Sequence, residues 1–415
     1  MDSGSLLTLL GQIALILALA RLCGAAAQRC GQPAVIGEIV AGILLGPSLL
    51  GWLAPGLSAS LFPTALRSPL ELLAQLGLIL FLFMVGLDVD PSALRGNRTH
   101  IASIALSGIG LPLLLGGILA ATVLYPINGL AGVSLASFSL CIATAMAITA
   151  FPVLACIVED RGLTGTRLGS LAVACASVDD VCAWCLLAAT IALHRSGSLL
   201  AALPTLLGVA LFLGLMALLM PRLGPSLLRR FQRQGLDAGL QTTVFVLVLL
   251  AAMATEAIGI DVIFGGFLCG AMLPRDRSFR QALKLRSADF ASLVLLPIFF
   301  ALSGFHTDLR LLFAGRDTLV LVPAVVSLAV AGKAWGVWGA ARLCRLPAAT
   351  AWNLAWLMNC RGLTELIVLN IGLRLKILSP TIFGLFVVMA LATTALTGPL
   401  LRLQRDPAAQ PATAG

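Results

Sequence analysis

Apolar runs of bilayer length recur from one end of this chain to the other, and no other feature constrains its fold as tightly. A helix of ~20 apolar residues matches the ~30 Å hydrocarbon core of a membrane. The runs fall at roughly 5–27, 33–52, 70–88, 99–124, 134–158, 167–193, 199–220, 240–258, 260–274, 289–305, 317–341, 350–373 and 380–401, with ends uncertain by a few residues. Gly, Pro, Arg or Asn separate them. The expectation is an all-α polytopic membrane protein of about 13 transmembrane helices spanning 1–403, with a short cytoplasmic tail at 404–415. Only 11% of the 415 residues are charged, against roughly a quarter in soluble domains. No segment is left over for a soluble domain.

The net charge of +9 raises nucleic acid as a partner, but the basic residues lie singly or in small groups between apolar runs. They form no basic face with interleaved aromatics. Topology accounts for them instead, because Lys and Arg collect on the cytoplasmic side. Connections after odd-numbered spans carry Arg29, Arg95, Arg98, Arg161, Arg167, the group Arg222 to Arg233, the group Arg275 to Arg286, Arg342, Arg345, Arg402 and Arg405. Those after even-numbered spans carry only Arg67, Arg195, Arg310, Arg316, Arg374 and Lys376. This places the N-terminus outside, the C-terminus inside, and the span number at an odd value. The first run lacks a positive leader segment, so it reads as a retained helix. The ten cysteines sit mostly within apolar runs without a secreted spacing pattern and read as reduced, small packing residues.

Internal similarity adds a second level of organisation. "IGEIVAGILLGP" (36–47) resembles "FGGFLCGAMLPR" (264–275), matching Gly37 with Gly265 and Gly42 with Gly270. "LFLFMVGLDVD" (80–90) resembles "IFFALSGFHTD" (298–308), matching Gly86 with Gly304 and Asp90 with Asp308. Both pairs are seven spans apart, an odd number, so the copies are expected to be inverted. The predicted repeats cover about 5–193 and 240–401, with 199–220 as a linker helix, the plan of many secondary transporters. The same offset pairs span 5 with span 12. Pro152 in "ATAMAITAFPVLA" removes a backbone donor and disfavours helix at Phe151. Asn359, Arg361, Gly362, Thr364 and Glu365 interrupt "LMNCRGLTELIVLN". Broken helices are tolerated in lipid only where protein or a wet cavity answers the freed backbone, so paired breaks predict a binding site.

The charges inside spans carry the chemistry. Asp179 and Asp180, in "ASVDDVCAWC", lie near the middle of span 6, where a carboxylate costs roughly 2.5–3.5 kcal/mol on insertion scales. Neighbours on a helix point about 100° apart, so one can face a cavity while the other faces another helix. A buried carboxylate can hold a proton or a metal cation but seldom both, and that competition is an exchange mechanism. Lys333, midway through span 11, is the natural counter-ion for one of them. Arg361 and Glu365 have the four-residue spacing of an intrahelical ion pair, which suits a structural tie as well as a role at the site. Glu38, another acid within a span, is read as lining a cytoplasmic funnel or pairing with Arg29. Cys182 and Cys185 have a CxxC spacing, but no second CxxC or histidine completes a metal site, and packing is the simpler reading.

Six stretches in order, "QPAVIGEIVAGILLGPSLLG", "LFLFMVGLDVD", "AITAFPVLACIVEDRGLTGTRLGSLAVACASVDDVCAW", "DVIFGGFLCGAMLPR", "LPIFFALSGFHTDL" and "MNCRGLTELIVLNIGL", resemble the membrane domain of the monovalent cation:proton antiporter-2 family, which includes Kef-type potassium efflux systems and bacterial sodium/proton antiporters. The resemblance covers nearly the whole chain. It implies the sodium/proton antiporter fold: inverted six-helix repeats, a mobile core bundle, two crossed broken helices and a dimerisation panel, hence a homodimer. Carried over, Asp180 matches the shared cation- and proton-carrying acid, Asp179 the variable position, and Lys333 the core lysine. Thr149 and Pro152 fall in the first unwound segment, and Asn359, Arg361 and Gly362 around the second. The pair at 179–180 is DD rather than the Kef QD, and the sequence closes on "RDPAAQPATAG" without a nucleotide-binding regulatory domain, so ligand-gated potassium efflux is not expected. DD implies electrogenic exchange.

The sequence therefore predicts a non-enzymatic, cofactor-free antiporter of the inner membrane, exchanging Na⁺ or K⁺ for H⁺ by alternating access, with Asp180 and Asp179 holding the transported cation. A sodium-coupled solute symporter on the same scaffold, a gated channel, and a membrane thiol redox protein using Cys182 and Cys185 are the competing readings.

Overall fold

The computed structural model describes residues 3–63, 66–88, 98–163, 166–196, 203–258, 262–313 and 316–403. Asp90 and the tail 404–415 lie outside them. The described chain is helical throughout, as expected. Its principal helices are α1 (Ser3–Arg29), α2 (Ala34–Leu45), α3 (Arg67–Asp88), α4 (Arg98–Leu119), α5 (Leu135–Ala147), α6 (Phe151–Asp160), α7 (Arg167–Ser196) and α8 (Leu203–Gln234). They continue with α9 (Ala238–Ile258), α10 (Val262–Met272), α11 (Leu296–Phe305), α12 (Arg316–Leu343), α13 (Ala348–Leu357), α14 (Leu363–Arg374) and α15 (Pro380–Leu403). Among the described residues, ten helices are long and apolar enough to cross a membrane by length and composition. The expected runs outside that set are the short α10 and the two that the backbone breaks, α5–α6 and α13–α14.

Two segments depart from the sequence expectation. The linker helix continues well past 220, to Gln234, running through Pro221 and Pro225 because the residues after them in "RLGPSLLRRFQRQ" are mostly good helix formers, and it ends at Gly235, whose φ of +66° suits the left-handed end of a helix. The connection before span 10 is itself a helix, Arg277–Phe290, which leads through a π-turn at Ala291–Leu295 into α11. Phe279, Leu283 and Ser287 recur at four-residue intervals and are buried, so this segment has the one-sided pattern of a helix lying against protein.

The chain divides into two compact units. The first contains the start of α1, then α3, α8, α9, α10 and most of α11. Its core gathers Phe83, Met84, Phe212, Met216, Val244, Val248 and Phe279. Lipid tails are as apolar as these side chains, so helices gain little from burial and much from close packing of small residues. Gly86 of α3 approaches the Phe267 carbonyl of α10, Gly270 approaches the Phe83 carbonyl, and Gly265 approaches the Ala251 carbonyl of α9, each so closely that a Cβ would overlap it. Arg280 donates to the Leu87 carbonyl at 2.6 Å and the Leu273 carbonyl at 2.7 Å, answering the free carbonyls where α3 and α10 end.

The second unit contains the rest of α1, α2, α4 to α7, and α12 to α15. Its glycines repeat the pattern of the first: Gly304 approaches the Ile39 carbonyl of α2, and Gly37 approaches the Cys23 carbonyl of α1. Ile39 is the sequence match of Phe267, and Gly37 of Gly265, so residues paired by the internal similarity make matching contacts. Glu38 has Arg21, rather than Arg29, as its electrostatic neighbour.

Candidate functional site

All the charged site residues expected from the sequence come together within the second unit. The first break lies at Ile148–Ala150, ahead of the position expected from Pro152. Ile148 is extended (φ −74°, ψ +139°), and Pro152 occupies the first turn of α6, where a missing N–H costs nothing. The second break runs from Met358 to Gly362. Gly362 adopts φ +157° and ψ −113°, a backbone that side chains rarely tolerate, and a Cβ there would stand 2.8 Å from Val153 Cγ2.

The two breaks cross and satisfy one another. Thr149 Oγ1 donates to the Met358 carbonyl at 2.6 Å, and the Ala150 amide donates to the Cys360 carbonyl at 3.2 Å. The end of α5 leaves carbonyls free, and two buried cations meet them. Arg361 donates to Ala145 at 2.8 Å and Met146 at 2.6 Å, and Lys333 donates to Ala147 at 2.7 Å. Cations at the negative end of a helix dipole are stabilising. Thr394 of α15 fixes the linker from behind, accepting from the Arg361 amide at 2.8 Å and donating to its carbonyl at 2.7 Å.

Asp179 and Asp180 project from α7 in different directions. Asp179 Oδ2 meets Lys333 Nζ at 2.6 Å, with both side chains essentially inaccessible. Asp180 turns the other way, accepting from the Thr364 hydroxyl at 3.0 Å and from the Phe151 amide. These donors open α14 and α6, so the carboxylate sits at the positive ends of both second half-helices. In the sequence Thr364 shows only as a polar interruption, and Thr394 lies in a "TT" pair within the last apolar run. A lone threonine in an apolar segment has no signal that separates a site residue from an ordinary packed one.

Arg361 and Glu365 form the buried ion pair suggested by their spacing, but not within one helix. Gly362 caps the start of α14 between them, so Arg361 belongs to the linker, and its guanidinium also serves the α5 carbonyls. Its Nη1 stands 3.7 Å from Glu365 Oε2, too far for a hydrogen bond. Both Glu365 oxygens, Asp179 Oδ1 and both polar atoms of Asn359 are buried without a hydrogen-bond partner. Nearby, a cavity of about 420 Å³ is lined by Gln28, Gln32, Ile157, Arg161, Thr394 and Gly398, among others. Cys182 and Cys185 are free, and Cys185 is exposed. Among the described residues, no group of three or more His, Cys, Asp or Glu is arranged to hold a metal ion.

Comparison with known proteins places this geometry in context. The model of a family described as sodium/hydrogen exchanger, transmembrane, matches residues 14–403. The Na⁺/H⁺ antiporter NhaS4 of Synechocystis is 47% identical over 403 residues, covering 97% of this chain and 98% of the relative. Cation/H⁺ antiporter 18 of Arabidopsis thaliana is 37% identical over 96% of this chain and 49% of its own length. K⁺/H⁺ antiporter 1 of Saccharomyces cerevisiae is 34% identical over 97% and 47%. The chain thus spans about half the length of these plant and yeast relatives. The solved sodium proton antiporter MjNhaP1 from Methanocaldococcus jannaschii superposes with a TM-score of 0.69 at 17% identity, covering 95% of this chain and 96% of that one, a likeness of fold.

Proposed function

The chain belongs to the sodium/hydrogen exchanger, transmembrane family, and from that premise we propose that it exchanges a monovalent cation, Na⁺ or K⁺, for protons by alternating access. One observation carries the reading. Of two adjacent buried acids, Asp179 is neutralised by Lys333, whereas the hydrogen bonds described for Asp180 come only from neutral donors. Two half-helix N-termini offset the charge of Asp180 in part, but a full unit of charge this deep requires a proton or a cation to balance it. Those two are the exchanged species. Loaded with a cation on one side of the membrane and a proton on the other, Asp180 makes each transit electrically covered.

Asp179 and Lys333 tune this cycle. When Lys333 releases its proton as the cation enters, two protons move against one cation and a net charge crosses the membrane. The crossing at Thr149 and Asn359, with Arg361 and Lys333 covering the α5 carbonyls, supplies neutral oxygens and compensated dipoles around the acid. Matching glycine contacts in α2 with α11 and in α10 with α3 support the inverted repeats. A homodimer in the inner membrane with a cytoplasmic C-terminus completes the proposal. Relatives named as antiporters lend nothing to the symporter or thiol redox readings.

The test uses everted vesicles with an acid interior and a pH-sensitive dye. Addition of Na⁺ or K⁺ dissipates the gradient in the native protein, and Asp180→Asn abolishes the response. Undiminished exchange by that variant refutes the assignment.

A further inference from the structure

We propose that the Asn359 carboxamide is a direct ligand of the transported cation and sets which cation is accepted. This rests on the exchange reading above and deepens it. The other groups of the α13–α14 linker are largely answered: Met358 and Cys360 by Thr149 and Ala150, the Arg361 backbone by Thr394, and the Gly362 carbonyl by the Leu366 amide. Asn359 contrasts with them. It is 0% exposed, and neither its Oδ1 nor its Nδ2 has a hydrogen-bond partner.

Leaving a buried polar atom unpaired costs about 1–3 kcal/mol, so an idle carboxamide here is an expensive choice for a structural residue. It is a sensible one for a residue whose partner comes and goes. Its place fits that partner. Asn359 stands between two carbonyls tied to Thr149 and Ala150, and the next amide along that crossing segment, Phe151, is the one Asp180 accepts. An amide oxygen is a hard, neutral donor of the kind alkali cations coordinate. It contributes to cavity size and oxygen number without adding charge, so it can select among cations while Asp180 alone balances them.

The experiment compares Asn359→Leu, which keeps the branching at Cγ, and Asn359→Ala with the native full chain. In vesicles, KM is measured for Na⁺, K⁺ and Li⁺; in detergent, the unfolding midpoint is measured with and without cation. The proposal expects KM for the preferred cation to rise about tenfold, preference among the three to fall to within about twofold, and the cation-free midpoint to stay level or rise. It is overturned if KM and the preference order stay within twofold of native, if the cation-free midpoint falls while KM holds, or if neither variant folds. Asp180→Asn in the same assay separates the levels. Absence of cation-driven proton movement in the native protein defeats the exchange reading, exchange surviving in Asp180→Asn defeats the assignment of Asp180 as carrier, and loss of exchange in that variant beside unchanged Asn359 variants defeats only the ligand role.

Discussion

Replacing Lys333 with Met removes one partner from the buried pair and leaves the other in place. Lys333 Nζ has two acceptors, Asp179 Oδ2 at 2.6 Å and the Ala147 carbonyl at 2.7 Å, and its side chain and that of Asp179 are 1% and 0% exposed. Removing one member of such a pair costs about 3–5 kcal/mol, because the remaining charge stays buried. Uptake of a proton by Asp179 limits the loss, while the orphaned Ala147 carbonyl adds about 1–3 kcal/mol. A net destabilisation of about 4 kcal/mol is expected. Adding Asp179→Asn removes the stranded charge, and the double variant should regain at least about half of the loss. The assay is a double-mutant cycle on unfolding free energies in one detergent. A Lys333→Met protein within about 1 kcal/mol of native, or a cycle with no coupling, would refute the argument that this pair is held by mutual neutralisation.

Two further predictions concern the second break and the start of α14. Thr364→Val deletes the hydroxyl that Asp180 accepts at 3.0 Å; a bond to a charged group contributes about 1.5–3 kcal/mol, so KM for the cation at fixed pH should rise at least about tenfold while the protein still folds. Gly362→Ala forces a side chain into φ +157° and toward Val153, which should cost at least about 2 kcal/mol and lower the unfolding midpoint along with transport.

The fold was legible because bilayer length is written directly into apolar runs, and because basic residues mark every second connection. The paired breaks were also legible, since Pro152 and the Asn359 to Glu365 cluster are out of place in a continuous span. What failed was inference that assumed regular geometry. The four-residue spacing of Arg361 and Glu365 does mark an ion pair, but not one within a continuous helix, since Gly362 places Arg361 ahead of α14. The helix at Arg277–Phe290 was hidden because its charges resemble those of a loop, while its buried stripe among the described residues is Phe279, Leu283 and Ser287. Within the DD pair, the residues alone could not decide which acid Lys333 neutralises; that depends on the rotation of α7 about its axis, which local sequence does not encode.

The central claim is that one carboxylate, Asp180, holds proton and cation in turn. Its most direct test is KM for the cation measured across pH in vesicles, at saturating driving force. Competition predicts that KM rises on the acidic limb by about tenfold per unit of falling pH for each proton displaced, tenfold for Asp180 alone and up to about a hundredfold where Lys333 also releases its proton, with maximal rate unchanged. A KM independent of pH across the active range, with protonation altering only the maximal rate, would contradict it.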